Sequence, residues 1–185
     1  MIKLGIDQSQ LARLEKALGS KAKRLPREVQ TAINATARKV ASETAKDLSK
    51  IMPLKQKTLK KIVKQKAKAT ANKLSATVGI GQGYPIPLRM HKPTQLKRGV
   101  TVQLRKGQGR SVIRDAFIAR QFGGHVYQRT TKQRLPIKKM FGPRPGSYYS
   151  ELGTEAKAKA VAEKELPKQI ERRIRFITLK AAGTI

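Results

Sequence analysis

The 185-residue chain has no cysteine and no tryptophan. The first absence excludes a disulfide framework and any thiolate metal site, and nothing in the composition points to secretion. The second belongs to a wider scarcity. Aromatics make up only 4% of the residues, so the core has to be built from Ile, Val, Leu and Ala. No apolar run approaches the roughly 20 residues of a membrane span. The opening MIKLGIDQSQ carries no secretory hydrophobic region, so the expectation is a protein made in the cytosol, with no membrane contact.

Acid is scarce as well. Asp and Glu number 11 against 42 Lys and Arg, a formal net charge of +31. A soluble domain ordinarily carries a net charge of magnitude about 2–8. Self-repulsion at this higher level opposes a compact isolated fold unless an anionic partner or an assembly offsets it. From Leu48 to Arg114 there is no acidic residue, and between Pro53 and Arg114 there are 16 Lys and Arg in 62 residues. Asp115 is the only acid between Leu48 and Ser150. One carboxylate makes no acid/base pair, so its expected role is a salt bridge to Arg114 or Arg120, or a turn cap. His91 and His125 lie in different segments, each without a nearby carboxylate. Gly79-Ile80-Gly81-Gln82-Gly83 and Gly107-Gln108-Gly109 lack the P-loop Lys-Ser/Thr and the full dinucleotide pattern, and read as turns. Metal-ligand spacing is missing, as is an acid cluster for a two-metal nuclease. The expectation is a protein with no catalytic residue, no cofactor and no metal.

What is present begins with helices. Asp7 or Ser9 can cap a first helix with Leu11, Leu14 and Leu18 on one face, ended by Gly19-Ser20. Leu25-Pro26 starts a second, with Pro at the first helical position. Its stripe of Val29, Ile33, Val40, Leu48 and Ile51, with Ala37 and Thr44 in the gaps, predicts a helix to about Met52, stopped by Pro53. At 1.5 Å per residue it is roughly 40 Å long. A C-terminal helix begins at Thr154, and Pro167 opens its last part, where Leu166, Ile170, Ile174 and Ile177 form a stripe.

Between the helices, Gly99 to Gly142 carries the clearest strand signals. Val100, Val102 and Leu104 alternate with polar residues. Lys106 to Gly109 reads as a hairpin loop and Ser111-Val112-Ile113 as the return strand. Ala116 to Ala119 is a compact apolar run, Gly123-Gly124 turns the chain, and His125 to Arg129 leaves it as another strand. Leu135-Pro136-Ile137 packs back at an edge. Gly81 to Arg98 reads as a loop around a short Ile86–Met90 strand, and Phe141 to Gly146 as a linker before a possible aromatic contact at Ser147-Tyr148-Tyr149. The fold class is α+β: long N-terminal and C-terminal helices packed on a mostly antiparallel β-sheet, with a basic β-hairpin extension.

That extension lies at about residues 55–80. Lys55 to Val63 continues as a short helix with Leu59, Ile62 and Val63 inward. Lys64 to Thr70 then alternates basic and small residues, turns at Ala71-Asn72-Lys73, and returns through Leu74 to Ile80 as a hairpin with one face of lysines. Lys55, Lys57, Lys60, Lys61, Lys64, Lys66, Lys68 and Lys73 are the candidate contacts. Tyr84 is the only aromatic from Leu48 to Val112. Base stacking and base-edge reading therefore lack their residues. The pattern suits phosphate backbone, which carries no sequence information, and would serve equally for an acidic protein face.

Asp115-Ala116-Phe117-Ile118-Ala119, Gly123-Gly124-His125-Val126-Tyr127-Gln128-Arg129, Arg134-Leu135-Pro136-Ile137 and Gly142-Pro143 carry a resemblance. In that order they resemble the phage minor tail protein Z family, the tail completion proteins of long-tailed phages. Ala32-Ile33-Asn34, the basic Lys55–Thr70 run, Ile86-Pro87-Leu88 and Glu165-Leu166-Pro167-Lys168 also fit. Gly142-Pro143-Arg144-Pro145-Gly146 departs from the pattern. The resemblance gives Phe117, Gly124, His125, Val126, Arg129, Leu135, Pro136 and Ile137 structural roles. It implies a non-enzymatic subunit of the tail or head–tail junction. The residue pattern itself divides the chain into an α+β domain over 1–146 and an amphipathic C-terminal helical segment over 147–185, which packs on that domain or on a neighbouring subunit. The resemblance further implies a homo-oligomeric ring of six or twelve copies, with tail terminator, connector or tape-measure proteins as partners, viral DNA backbone in the lumen, and a place in the virion after assembly in the host cytoplasm. The alternative that explains the charge equally well is a free, sequence-tolerant nucleic-acid-binding protein of ribosomal or chromatin-like type.

Overall fold

The computed structural model describes residues 1–80, 85–151 and 153–181. The N-terminal strand β1 (Ile2–Gly5) is followed by α1 (Gln8–Leu18). The Asp7 carbonyl accepts the first helical bonds, from Gln10 and Leu11 N–H, and Gly19, at φ 53°, ends the helix. A 3₁₀ segment (Gly19–Arg24) leads into α2 (Leu25–Ile51). Val29, Ile33, Ala37, Val40, Thr44 and Leu48 are all buried, the face that the apolar stripe predicts. The short helix α3 (Gln56–Ile62) buries Leu59.

Two strands then form the expected hairpin, β2 (Lys64–Ala67) and β3 (Ser75–Gly79). Reciprocal bonds between the backbones of Thr70 and Lys73 close its turn. The chain continues through β4 (Ile86–Pro87), β5 (Thr94–Leu96), β6 (Gly99–Val102), β7 (Ser111–Arg114), β8 (Ala116–Ala119), β9 (His125–Arg129) and β10 (Ile137–Lys139). A short strand, β11 (Phe141–Gly142), leads to α4 (Pro145–Glu151). The last helix is α5 (Thr154–Ala181).

The fold is α+β and every strand pairing among the described residues is antiparallel. The strands make four small sheets, ordered β1-β3-β2, β5-β6-β7, β10-β9-β8 and β11-β4, in place of the single sheet that the sequence suggests. The strands are short, and left-handed residues at Lys92 (φ 50°) and Asp115 (φ 58°) redirect the backbone between them. Asp115 thus makes the turn from β7 to β8, in a conformation Asp tolerates better than most residues. The expected linker after Phe141 is also structured. Phe141 pairs with Pro87 and Gly142 with Ile86, and Pro145 starts α4 at the position where a missing N–H costs nothing. Pro167 does not open a helix; α5 runs through it. Gly81 to Tyr84, the start of the expected loop and part of one glycine-rich turn, lie outside the described residues.

The chain divides into two compact units: the described residues of Met1–Thr44, Val63–Ile80 and Leu152–Ile185, and those of Ala45–Ile62 and Gly81–Glu151. In the first, α5 packs on β1 and on the 3₁₀ segment, and Ile2, Leu4, Ala76 and Val78 supply buried strand residues. In the second, Leu88, Val100, Val102, Ala116 and Val126 form the core, with Leu104, Ile113, Ile118 and Met140 packed against it. Tyr148 of α4 donates its hydroxyl to the Leu104 carbonyl at 3.1 Å, and the Arg105 guanidinium lies 5.3 Å from its ring centre, giving the aromatic contact expected there. The last residues of α2 also lie in this unit. Lys106 N–H donates to the Ile51 carbonyl and Lys106 Nζ to the Ser49 carbonyl, each at 2.6 Å.

Candidate functional site

The eight candidate lysines are all exposed, and among the described residues none forms an ion pair. They do not fall in one unit. Lys55, Lys57, Lys60 and Lys61 precede or lie on α3 in the second unit; Lys64, Lys66, Lys68 and Lys73 lie on β2 and its turn in the first.

On α3 the burial of Leu59 fixes the helix face. Lys57, Lys60 and Lys61, spaced i, i+3, i+4, therefore project together on another side. On β2 the positioning comes from helix α2. Asn34 Oδ1 accepts from Gln65 Nε2 at 2.6 Å and from the Ala69 N–H at 2.9 Å, while Asn34 Nδ2 donates to the Ala69 carbonyl at 3.1 Å. The amide thereby does for Ala69 what a neighbouring strand would do, satisfying both backbone groups. Gln65 points inward to this clamp, so Lys64 and Lys66, one position either side, are turned to solvent. A bulge between Gln65 and Ala67 shifts the register against β3. The aliphatic stem of Lys66 lies over Gly79, where a Cβ would come within 2.7 Å of Lys66 Cγ and Cε. Asn34 escapes sequence reading, because its partners are 31 and 35 positions away and no local pattern announces them.

The motif residues assemble in the β8–β9–β10 sheet. Val126 is buried opposite Ile118, Phe117 pairs with Tyr127, and Ile137 with Arg129. The Phe117 and Tyr127 rings stack with centroids 6.3 Å apart, and the Arg129 guanidinium lies 5.1 Å from the centre of the Phe117 ring. Gly123 and Gly124 both adopt left-handed φ, 70° and 68°, and Gly124 N–H returns to the Ala119 carbonyl at 3.1 Å. Leu135 and Pro136 are exposed, but their carbonyls hold the loop: Thr130 N–H and hydroxyl reach the Pro136 oxygen at 3.3 and 3.1 Å.

The two histidines are structural in geometry. His91 is fully buried, and its Nδ1 lies 3.3 Å from the Gln103 carbonyl. A carbonyl only accepts, so Nδ1 carries the proton and Nε2, buried without a partner, carries the lone pair. Burial holds the His91 pKa below its usual value, with the Gln103 bond opposing. His125 Nε2 accepts from Lys139 Nζ at 3.2 Å. Its pKa is lowered by desolvation first, then by the charges of Lys139 and Arg89. No group of three or more His, Asp or Glu able to hold a metal occurs among the described residues, and no described helix is long and apolar enough to cross a membrane.

The exposed charge at the candidate positions is thus cationic. No curated protein and no solved structure matches the chain. A family model does: that of prophage minor tail protein Z (GPZ), over residues 9–180, a span holding all eight lysines and the whole β8–β10 motif. The chain belongs to the prophage minor tail protein Z family, and is by that membership a minor tail protein of a phage virion.

Proposed function

We propose that the chain is a tail-completion or neck subunit at the head-proximal end of the tail, assembled as a ring of six or twelve copies around the DNA channel. Its partners in this reading are the tail terminator, connector or tape-measure proteins, and assembly takes place in the host cytoplasm. The role is structural and involves no catalysis. Lys55, Lys57, Lys60, Lys61, Lys64, Lys66, Lys68 and Lys73 face DNA in the lumen.

The observation that carries the reading is that eight exposed lysines have no carboxylate partner among the described residues. A charge of +31 per copy, multiplied around a channel, creates a field that DNA would neutralise. Reversing Lys60, Lys61, Lys64 and Lys66 to Glu tests it. The variant is expected to fold with an unchanged circular dichroism spectrum and to block completed particles. Normal, infectious particles would overturn the lysine assignment. Sedimentation and negative-stain images of the pure protein test the ring; monomers that bind DNA with a steep salt slope would favour a free nucleic-acid-binding protein instead.

A further inference from the structure

In the second unit, the β5–β6 hairpin and the segment leaving β9 line an open pocket of about 760 Å³. Four cations line it, Lys97, Arg98, Arg129 and Lys132, against one carboxylate, Asp115. All five are exposed, and among the described residues none is held in an ion pair. The charge therefore remains available to a ligand.

Several contacts fix the residues that line the pocket. Gln95 Nε2 donates to the Leu96 and Gly99 carbonyls at 2.9 Å each, and Gln95 Oε1 accepts from Ile118 N–H at 2.9 Å, tying β5, β6 and β8 together. Gly99, at φ 142°, leaves bare backbone in the wall; a Cβ there would clash with the Ile113 carbonyl oxygen. Arg129 is laid over the Phe117 ring, which is itself stacked on Tyr127. The bonds from Thr130 to Pro136, with Thr131 Oγ1 to the Leu135 carbonyl at 3.4 Å, fix the segment that carries Lys132. Of the four cations Arg129 is held through its side chain, which lowers the ordering cost of its binding an anion; for Lys97, Arg98 and Lys132 the contacts fix the backbone that carries them.

The volume falls in the range of small-ligand sites, about 300–1,000 Å³. Arg98 and Arg129 offer planar forks that match phosphate oxygens, and Lys97 and Lys132 act as point charges. Phe117 is covered by Arg129 and stacked on Tyr127, so the exposed Arg129 guanidinium is the plane on which a base stacks, a feature that an acidic peptide has no ring to use. We propose that this pocket seats the phosphates of a single nucleic-acid strand, through Lys97, Arg98, Arg129 and Lys132. The proposal rests on the reading that the chain meets nucleic acid, and it uses none of the eight lysines of that reading.

The test is fluorescence anisotropy of the intact protein with a short labelled single-stranded oligonucleotide. Arg98→Glu/Lys132→Glu is compared with Lys157→Glu/Lys164→Glu on α5, two exposed lysines with the same change in charge. The pocket pair is expected to weaken binding about tenfold more than the α5 pair, and to lower the salt slope by about 0.7 for each phosphate that is no longer neutralised. Arg98→Gln/Lys132→Gln gives the same order of effects if charge reversal impairs folding. Equal losses from both reversed pairs would reduce the binding to bulk charge and overturn the pocket. So would poly-glutamate binding that falls by the same factor as oligonucleotide binding, since the site would then take any acidic chain. If the wild-type protein binds duplex DNA but not the single strand, only the pocket falls; if it binds neither, the DNA-facing reading falls together with the pocket. If binding responds to Lys60, Lys61, Lys64 and Lys66 but not to the pocket pair, only the pocket falls.

Discussion

The Asn34 side chain of α2 holds the Ala69 backbone in β2's continuation through both its N–H and its C=O, at 2.9 and 3.1 Å. One amide thus replaces a missing strand partner at the edge where the lysines stand. Asn34→Ala leaves the buried residue Ala69 without partners for either backbone group, and Gln65 loses its acceptor. The expected loss of stability is about 1–3 kcal/mol, measured by denaturant unfolding. Native-state hydrogen exchange should show the Ala69 amide released ahead of the β3 amides. An Ala69 amide that exchanges no faster in the variant would remove Asn34 from its positioning role.

Gly142 and His91 make a second close pair. A Cβ at Gly142 would lie 2.5 Å from His91 Nε2, and the imidazole is fully buried, so the ring has no room to withdraw. Gly142→Ala is expected to destabilise by about 1–3 kcal/mol through overpacking. Gly109→Ala is the control, since nothing lies within 4 Å of a Cβ there and its effect should stay within about 0.5 kcal/mol. Thermal melts of the two variants decide the matter.

His91 also gives stability a pH dependence with a definite sign. Its folded pKa is depressed by burial, whereas in the unfolded chain it protonates near its ordinary value of about 6.5. Below that pH the unfolded state binds more protons than the native state, so stability rises with pH. The contribution is complete above about pH 6.5 and is lost as the pH falls from there toward the folded pKa. His125 is shifted in the same direction, by desolvation and then by Lys139 and Arg89. The melting temperature should fall between pH 7.5 and 5.5, and the fall should persist in His125→Gln. A flat profile across that interval would contradict the buried neutral imidazole.

Much of this is legible in the chain itself, and the exceptions have physical reasons. The span of α2 follows from Leu25-Pro26, an unbroken apolar stripe and Pro53, all of them local signals. The β2–β3 and β8–β9 hairpins follow from alternation and paired turn residues for the same reason. β1 escapes sequence reading: Ile2 and Leu4 do alternate with Lys3 and Gly5, but four residues are too few to stand out at a terminus, and pairing with β3 decides the matter. Pro145 reads as a breaker, yet proline is equally a helix starter. Pro167 reads as a starter, yet tertiary packing carries α5 through it. The lysines form one continuous block in sequence, but the fold divides them between two units. The Lys97–Lys132 pocket is invisible in sequence because its two walls are some thirty residues apart.

Sequence alone also treats every lysine alike, and the structure does not. Lys106 closes the C-terminal end of α2, with its ammonium 2.6 Å from the Ser49 carbonyl. That end of a helix carries partial negative charge, and a cation there stabilises by about 0.3–1 kcal/mol. Lys60, by contrast, is exposed on α3 and has no ion-pair partner among the described residues. Lys106→Glu should therefore lower stability by about 1–2 kcal/mol, since the favourable cation is lost and a repelled anion takes its place. Lys60→Glu, with the same change in net charge, should stay within about 0.5 kcal/mol while weakening DNA binding. Paired urea titrations and DNA-binding isotherms at fixed salt make the comparison. If the two variants lose stability equally, the helix-end bond contributes nothing, and Lys106 belongs with the solvent-facing cations.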